Sequence, residues 1–295
     1  MSNELSNVFS KFVSLSHGVR QGGVFSPYFW SLVVDKMLLQ LNNSKFGCTF
    51  KGFPIAALMY ADDVILITAS VTGLQNLINL CHDYLLEIDL LINPAKTYWI
   101  RIGSRCHSIC TNLVINNKFI ETGNELTFLG SIICSNVKFM VSLSKNKVKF
   151  FGNANKILSK IGTSNLPVIV KLINAYCSSA LLYNLEIFDL SKNLINSLTF
   201  FVNRLFMKVF KSSQIDVIEY CLYCFGILPS DLLLPIRKVK YLLNLLKKED
   251  MLNIMFSDII KNEHSNIVNS WRAIYNSDYP SKSNAWEILS EKIRY

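Results

Sequence analysis

Two aspartates, Asp62 and Asp63, stand side by side in the run AALMYADDVILIT. Apolar residues flank them on both sides, so the run reads as a hairpin with buried arms and an acidic tip. Adjacent carboxylates repel, and holding them at the end of buried strands is unfavourable without a counter-charge. A divalent metal supplies that charge. Mg²⁺ takes a few carboxylate oxygens and fills its remaining positions with water and phosphate. A pair of such ions can activate a hydroxyl and stabilise a leaving pyrophosphate. Ordinary turn chemistry also accounts for an isolated Asp-Asp, so the surrounding elements have to decide.

Upstream, HGVRQGGVFSP is a glycine-containing loop ending at Ser26, which suits an N-cap, and Pro27, which suits a first helical turn. PYFWSLVVDKMLLQL then reads as a largely buried helix of about four turns. Residues 8–16 alternate loosely, as a strand would, and residues 46–60 carry strand-like material punctuated by Gly47, Gly52 and Pro54. Downstream, Thr72 can cap a helix whose Leu74, Leu77, Ile78, Cys81, Leu85 and Ile88 share one face. Asn93-Pro94 ends that region, TYWIRIG resumes as a strand, and LVINNKFIETGNELTFLGSIIC adds strands and turns. Beyond about residue 137 the alternation gives way to five or six helices, with breaks near 162–167, 191, 212 and 226–229.

Charge changes at the same place. The chain has 295 residues and a net charge of +9, enough length for two domains. Residues 1–135 hold nine basic and nine acidic side chains, so the whole excess lies in 136–295. The segment 138–211 carries eleven basic residues against only Glu186 and Asp189. A basic half beside a neutral one suits polyanion binding, although solvated helix faces can look the same. With 51% hydrophobic and 17% charged residues, the chain is no disordered protein. No apolar run reaches the roughly 18 residues of a membrane span, and the start MSNELSNVFSKF lacks the layout of a signal peptide. An intracellular chain without membrane contact is expected. Its eight cysteines are then free thiols, mostly buried. Neither Cys221-Cys224 nor Cys106-His107 with Cys110 has the second ligand pair of a zinc site.

The order of these features resembles the palm of a reverse transcriptase, most closely the LINE-type, non-LTR retrotransposon group. Gly18, Arg20, Gln21, Gly22, Ser26 and Pro27 match the block before the palm helix, and Tyr60-Ala61-Asp62-Asp63 matches the metal-binding hairpin. Asn93, Pro94, Lys96 and Thr97 resemble the next block, and Phe128-Leu129-Gly130 the primer-grip hairpin. The resemblance implies that Arg20, Gln21, Gly22 and Tyr60 meet nucleotide and template. It implies that Asp62 and Asp63 are catalytic metal ligands and that Lys96 protonates the leaving pyrophosphate. More loosely, Leu172 to Tyr176, Leu181-Leu182-Tyr183, Glu186 and Asn203-Arg204 resemble a helical thumb, with Asn184 where the family has glycine and Phe188 near a usual tryptophan. Lys145, Lys147, Lys149, Lys156 and Lys160 then have the charge to hold a duplex backbone.

The family also uses a third carboxylate on a strand upstream of the RQG block. Residues 1–19 offer only Glu4. The expectation is therefore an α+β chain: a partial palm over residues 1–137, of short antiparallel strands and two helices, then an all-helical thumb and C-terminal extension over 138–295. By resemblance it is an RNA-directed DNA polymerase fragment, inactive alone, binding Mg²⁺ or Mn²⁺ weakly and no small-molecule cofactor. The partners implied are an RNA template, a DNA primer and the upstream part of the same polyprotein. A non-enzymatic nucleic-acid binder and a non-functional relic are the alternatives.

Overall fold

The computed structural model describes residues 22–162 and 165–294. The strand expected over 8–16 and the residues Glu4, Gly18, Arg20 and Gln21 lie outside the described residues. Two compact units divide the chain. The first takes in the chain up to Trp99 together with Ser108–Gly123, and the second takes in Ile100–His107 and the chain from Asn124 onward. Helices predominate, and the strands are short and mostly antiparallel.

In the first unit, α1 (Ser26–Asn42) precedes two hairpins, β1–β2 (Cys48–Phe50, Phe53–Ile55) and β3–β4 (Ala57–Tyr60, Asp63–Leu66), and then α2 (Val71–Glu87). A parallel pair, β5 (Tyr98–Trp99) with β8 (Glu121–Thr122), encloses the small hairpin β6–β7 (Val114–Ile115, Lys118–Phe119). Val34, Met37 and Leu41 of α1 pack with Ala57 of β3 and Leu77, Cys81 and Tyr84 of α2. Burial pushes the Cys81 thiol up to about 11, so it stays a neutral filler, its Sγ 3.6 Å from Met37 Sδ.

Three sequence expectations change here. Phe25, not Ser26, is the N-cap of α1, and Ser26 is its first helical residue. α1 is not largely buried: Tyr28, Phe29, Leu32 and Leu39 are exposed. It is apolar around most of its circumference, yet α2 and β3 cover a single stripe of it. Ser70, not Thr72, caps α2, its hydroxyl accepting from Gly73 N at 3.0 Å. Ser70 has the extended backbone an N-cap needs, whereas Thr72 already lies within the helix.

The second unit begins with the antiparallel sheet β9–β10–β11 (Glu125–Phe128, Ser131–Cys134, Met140–Ser142). The helices follow: α3 (Ser144–Ile161), α4 (Leu166–Leu172), a π-helical stretch Ile173–Ser178 and α5 (Ser179–Leu181). Beyond them run α6 (Lys192–Phe210), α7 (Ile215–Cys224), α8 (Ser230–Leu246), α9 (Met251–Tyr275) and α10 (Lys282–Arg294). Phe150, Ile169, Ile173, Cys177, Leu198, Phe206 and Ile218 form its core. Charge and periodicity change at 135–140, whereas the compact units part between 99 and 124, because the three-stranded sheet groups with the helices after it. Among the described residues, no helix is long and apolar enough to cross a membrane.

Candidate functional site

The acidic hairpin turns on two residues. Tyr60 pairs with Asp63, so Ala61 and Asp62 form the tip. Ala57, Met59, Val64 and Leu66 point into the core on one face. Leu58 and Tyr60 are exposed on the other, so the arms are half buried rather than buried. Both aspartates are exposed. They therefore avoid the desolvation cost expected for carboxylates on buried strands, and only their mutual repulsion remains, softened by water. Neither carboxylate has an ion pair among the described residues.

α1 holds both ends of β3. At the tip, the Trp30 indole N–H donates to Ala61 O at 2.7 Å. At the base, Asn42 Oδ1 accepts from Ala56 N at 2.7 Å and from Ala57 N at 3.1 Å. Tyr84 ties α2 to the same helix through a 2.7 Å bond from its hydroxyl to Val33 O. The tip is strained: Ala61 has φ 53. Left-handed backbone costs a residue with a Cβ roughly 1–2 kcal/mol, and the short Trp30 bond offsets part of that.

Two adjacent carboxylates are hard oxygen donors of the kind Mg²⁺ or Mn²⁺ accepts, with water and phosphate completing the shell. The donor types fit such an ion. Among the described residues, no group of three or more His, Cys, Asp or Glu side chains gathers, so the hairpin offers two protein ligands. Lys96 is exposed at the end of a short turn, Pro94–Lys96, that Asn93 caps by accepting from Ala95 N at 3.0 Å. Of Arg20, Gln21 and Gly22, only Gly22 is among the described residues, and its φ of 79 is backbone that favours glycine.

The five lysines of α3 do not act alike. At 100° per residue, Lys145, Lys149, Lys156 and Lys160 fall within roughly 60° of one another on one face. Gly152 lies in the same stripe, with open space where a Cβ would stand. Lys147 is on the opposite side. Its Nζ lies 3.1 Å from Ser197 Oγ and 4.5 Å from the centre of the Phe201 ring, so it packs against α6. The two acids of the basic segment are neutralised within the unit. Glu186 takes a two-oxygen ion pair from Arg237 at 2.9 and 3.0 Å, and Asp189 pairs with Lys238 at 2.6 Å. The lysine stripe therefore meets no opposing charge from its own segment.

A model of the family described as "Reverse transcriptase (RNA-dependent DNA polymerase)" matches residues 5–152, half of the chain. The chain belongs to the reverse transcriptase family. Over 105 residues, 36% of this reverse transcriptase chain, it is 30% identical to the "Retrovirus-related Pol polyprotein from type-2 retrotransposable element R2DM" of Drosophila melanogaster. Over 127 residues, 43% of the chain, it is 26% identical to the corresponding polyprotein "from type-1 retrotransposable element R2" of Nasonia vitripennis. These alignments cover 10% and 12% of the two relatives, so the chain spans about a tenth of the length of the curated relatives it matches. Family and relatives together make it a non-LTR type of reverse transcriptase sequence.

Within that family assignment, the second hairpin, β9–β10, becomes informative. Its tip is Leu129-Gly130, between the paired Phe128 and Ser131. Tyr183 and Asn184, which follow α5, reach this tip. The structure thus brings the reverse-transcriptase-like LLY segment against the hairpin of residues 128–130. Sequence reading missed Trp30, Asn42 and Asn146 altogether. An indole or amide that reaches a backbone 14 to 37 positions away leaves no local signal.

Proposed function

We propose that this chain supplies the acidic hairpin and the duplex-holding half of an RNA-directed DNA polymerase of a non-LTR retrotransposon. The observation that carries this reading is the exposed Asp62-Asp63 pair on a tip fixed by Trp30, within the segment that matches the reverse transcriptase family. In this reading residues 1–137 belong to the palm and 138–295 to the thumb and its extension. Asp62 and Asp63 bind Mg²⁺ or Mn²⁺. Tyr60, with Arg20, Gln21 and Gly22, faces nucleotide and template, and Phe128, Leu129 and Gly130 grip the primer. The bound ion supplies charge stabilisation at the reacting phosphate. Lys96 delivers a proton to the leaving pyrophosphate from its exposed turn. Lys145, Lys149, Lys156 and Lys160 hold the duplex backbone, and Gly152 leaves room for it between them. Lys147, assigned the same role from sequence, supports it only through its packing against α6.

Two exposed carboxylates hold a divalent ion only weakly, in the millimolar rather than the micromolar range. Residues 1–295 alone therefore do not polymerise, and activity requires an upstream part of the same polyprotein that contributes a third carboxylate. Extension of a primed RNA template tests this. No product is expected from residues 1–295 alone, with Mg²⁺ or Mn²⁺. Product is expected when the upstream polypeptide is added, and it disappears with Asp62→Ala. Incorporation by residues 1–295 alone would falsify the dependence on that segment, and activity that survives Asp62→Ala would remove the hairpin from the mechanism. The lysine stripe favours a second reading, duplex binding without chemistry, which salt-sensitive binding without turnover even with the upstream polypeptide would support.

A further inference from the structure

The turn between β9 and β10 has a backbone that half of its sequence disfavours. Leu129 has φ 45 and Gly130 has φ 82. Both central residues are thus left-handed, as a two-residue hairpin turn of the I′ kind requires. Glycine adopts this freely, whereas a leucine there is an outlier. Leu129 is 38% exposed, so apolar burial alone does not explain it.

The partners of the turn come from the segment after α5. The Tyr183 hydroxyl donates to Leu129 O at 3.4 Å, and Asn184 Nδ2 donates to the same oxygen at 3.3 Å and to Ser131 Oγ at 3.3 Å. The Tyr183 ring closes over Gly130, where a Cβ would stand 3.1 Å from Cε1. Asn184 is itself left-handed, at φ 60 and ψ 8. Glycine would satisfy that backbone equally well, so the amide is an addition that reaches the hairpin. Behind both, the buried Asn146 of α3 donates to Leu181 O at 3.0 Å and Tyr183 O at 3.2 Å, fixing the end of the helical run that presents them.

We propose that Tyr183 and Asn184 are positioning residues that set the hairpin tip of residues 128–130 where it meets the end of a primer strand. The inference rests on reading that hairpin as the primer grip.

Three variants of the full chain separate this from a general structural role. Asn184→Gly keeps the left-handed backbone and removes the amide. Asn184→Asp keeps the shape and removes the donor. Tyr183→Phe keeps the ring and removes the hydroxyl. Two properties are measured beside thermal melting: hydrogen exchange of the Gly130 and Ser131 amides, and affinity for a duplex with a recessed 3′ end relative to a blunt duplex. Each variant is expected to exchange faster at the tip and to lose about two- to ten-fold of the recessed-end preference, the range of one net hydrogen bond. Melting temperature should fall by no more than about 2 °C, and salt dependence should stay unchanged for Asn184→Gly and Tyr183→Phe. Preference retained in all three variants, or exchange unchanged at the tip, overturns the proposal alone. A wild-type chain with no recessed-end preference overturns the primer-grip reading, and the proposal with it, whatever the exchange data show. Should Asn184→Asp fold poorly, Asn184→Gly and Tyr183→Phe decide.

Discussion

Hairpins β3–β4 and β9–β10 each turn on two residues, and each forces a residue with a Cβ into left-handed backbone, Ala61 at φ 53 and Leu129 at φ 45. Each also has the carbonyl of that residue held from outside the hairpin. The supports differ. Ala61 O is held by one short bond, 2.7 Å from an indole on the second turn of a 17-residue helix. Leu129 O is held by two bonds of 3.3 and 3.4 Å, and one of their donors, Asn184, is itself left-handed. A tip pinned by a core-packed helix is stiff, whereas one pinned by a loop yields more easily. That contrast suits the proposed roles: a metal-binding tip in the first unit, where carboxylate spacing must be kept, and a tip in the second unit that meets a moving strand.

The largest effect should fall on chemistry with almost none on folding. Asp62→Ala in the chain supplemented with the upstream polypeptide proposed above should lower primer extension by at least about 10²–10³, the scale of removing one electrostatic partner from a preorganised site. Because Asp62 is exposed, with no ion pair among the described residues, stability should move by less than about 0.5 kcal/mol. A large loss of stability would mean that the acidic tip carries fold, and the contrast between a chemical hairpin and a structural one would be gone.

Next in size is binding. Replacing Lys145, Lys149 and Lys156 together with Glu should weaken duplex affinity for every sequence and flatten the salt dependence by about 2–3 in the log–log slope, near 0.9 per phosphate contact. Lys147→Met should leave the slope alone and lower stability, because that side chain packs on Phe201 and Ser197. Equal slopes for the two variants would show that the stripe on α3 is not the electrostatic surface.

These contrasts also mark what the sequence could say. Asp62 and Asp63 were legible because a polar pair between two apolar runs of strand length has few other forms. α2 was legible from its 3.6-residue period, and the breaks near 191, 212 and 226–229 from their serines, glycine and proline. The buried stripe of α1 was not legible, because a helix apolar all round does not say which side is covered. The lysines of α3 looked equivalent until the helix was fixed from Ser144, after which the spacing of 145, 149, 156 and 160 separates them from 147. Trp30 on Ala61 and Asn146 on Tyr183 depend on tertiary packing and have no trace in local pattern.

Smaller again are the supports themselves. Trp30→Phe keeps an aromatic ring against the core and removes the 2.7 Å bond, so denaturant melts should show a loss near 1 kcal/mol. Tyr183→Phe removes a 3.4 Å bond, which is long for a hydroxyl donor, and should cost less than about half of that. Equal losses would erase the distinction between a stiff tip and a yielding one.

The last effect concerns the strain that both tips share; it is opposite in sign to the losses above, and that sign carries the information. Ala61→Gly removes the Cβ that makes φ 53 unfavourable. Relief of roughly 1–2 kcal/mol is opposed by the greater freedom of glycine in the unfolded chain, about 0.5–1 kcal/mol, so a net gain of a few tenths to about 1 kcal/mol is expected. Leu129→Asn gives the Asn-Gly pair that suits a turn with two positive φ values. Leu129 is only 38% exposed, and removing the buried part of its apolar side chain opposes the relief. The net gain there should therefore be smaller than for Ala61→Gly, although leucine is the less suitable residue. Equilibrium unfolding of the two variants measures the difference. Loss of stability in Ala61→Gly would show that the Trp30 bond depends on the Ala61 methyl. A larger gain in Leu129→Asn than in Ala61→Gly would show that the second tip carries the greater strain, so that its two long bonds hold more than their lengths suggest.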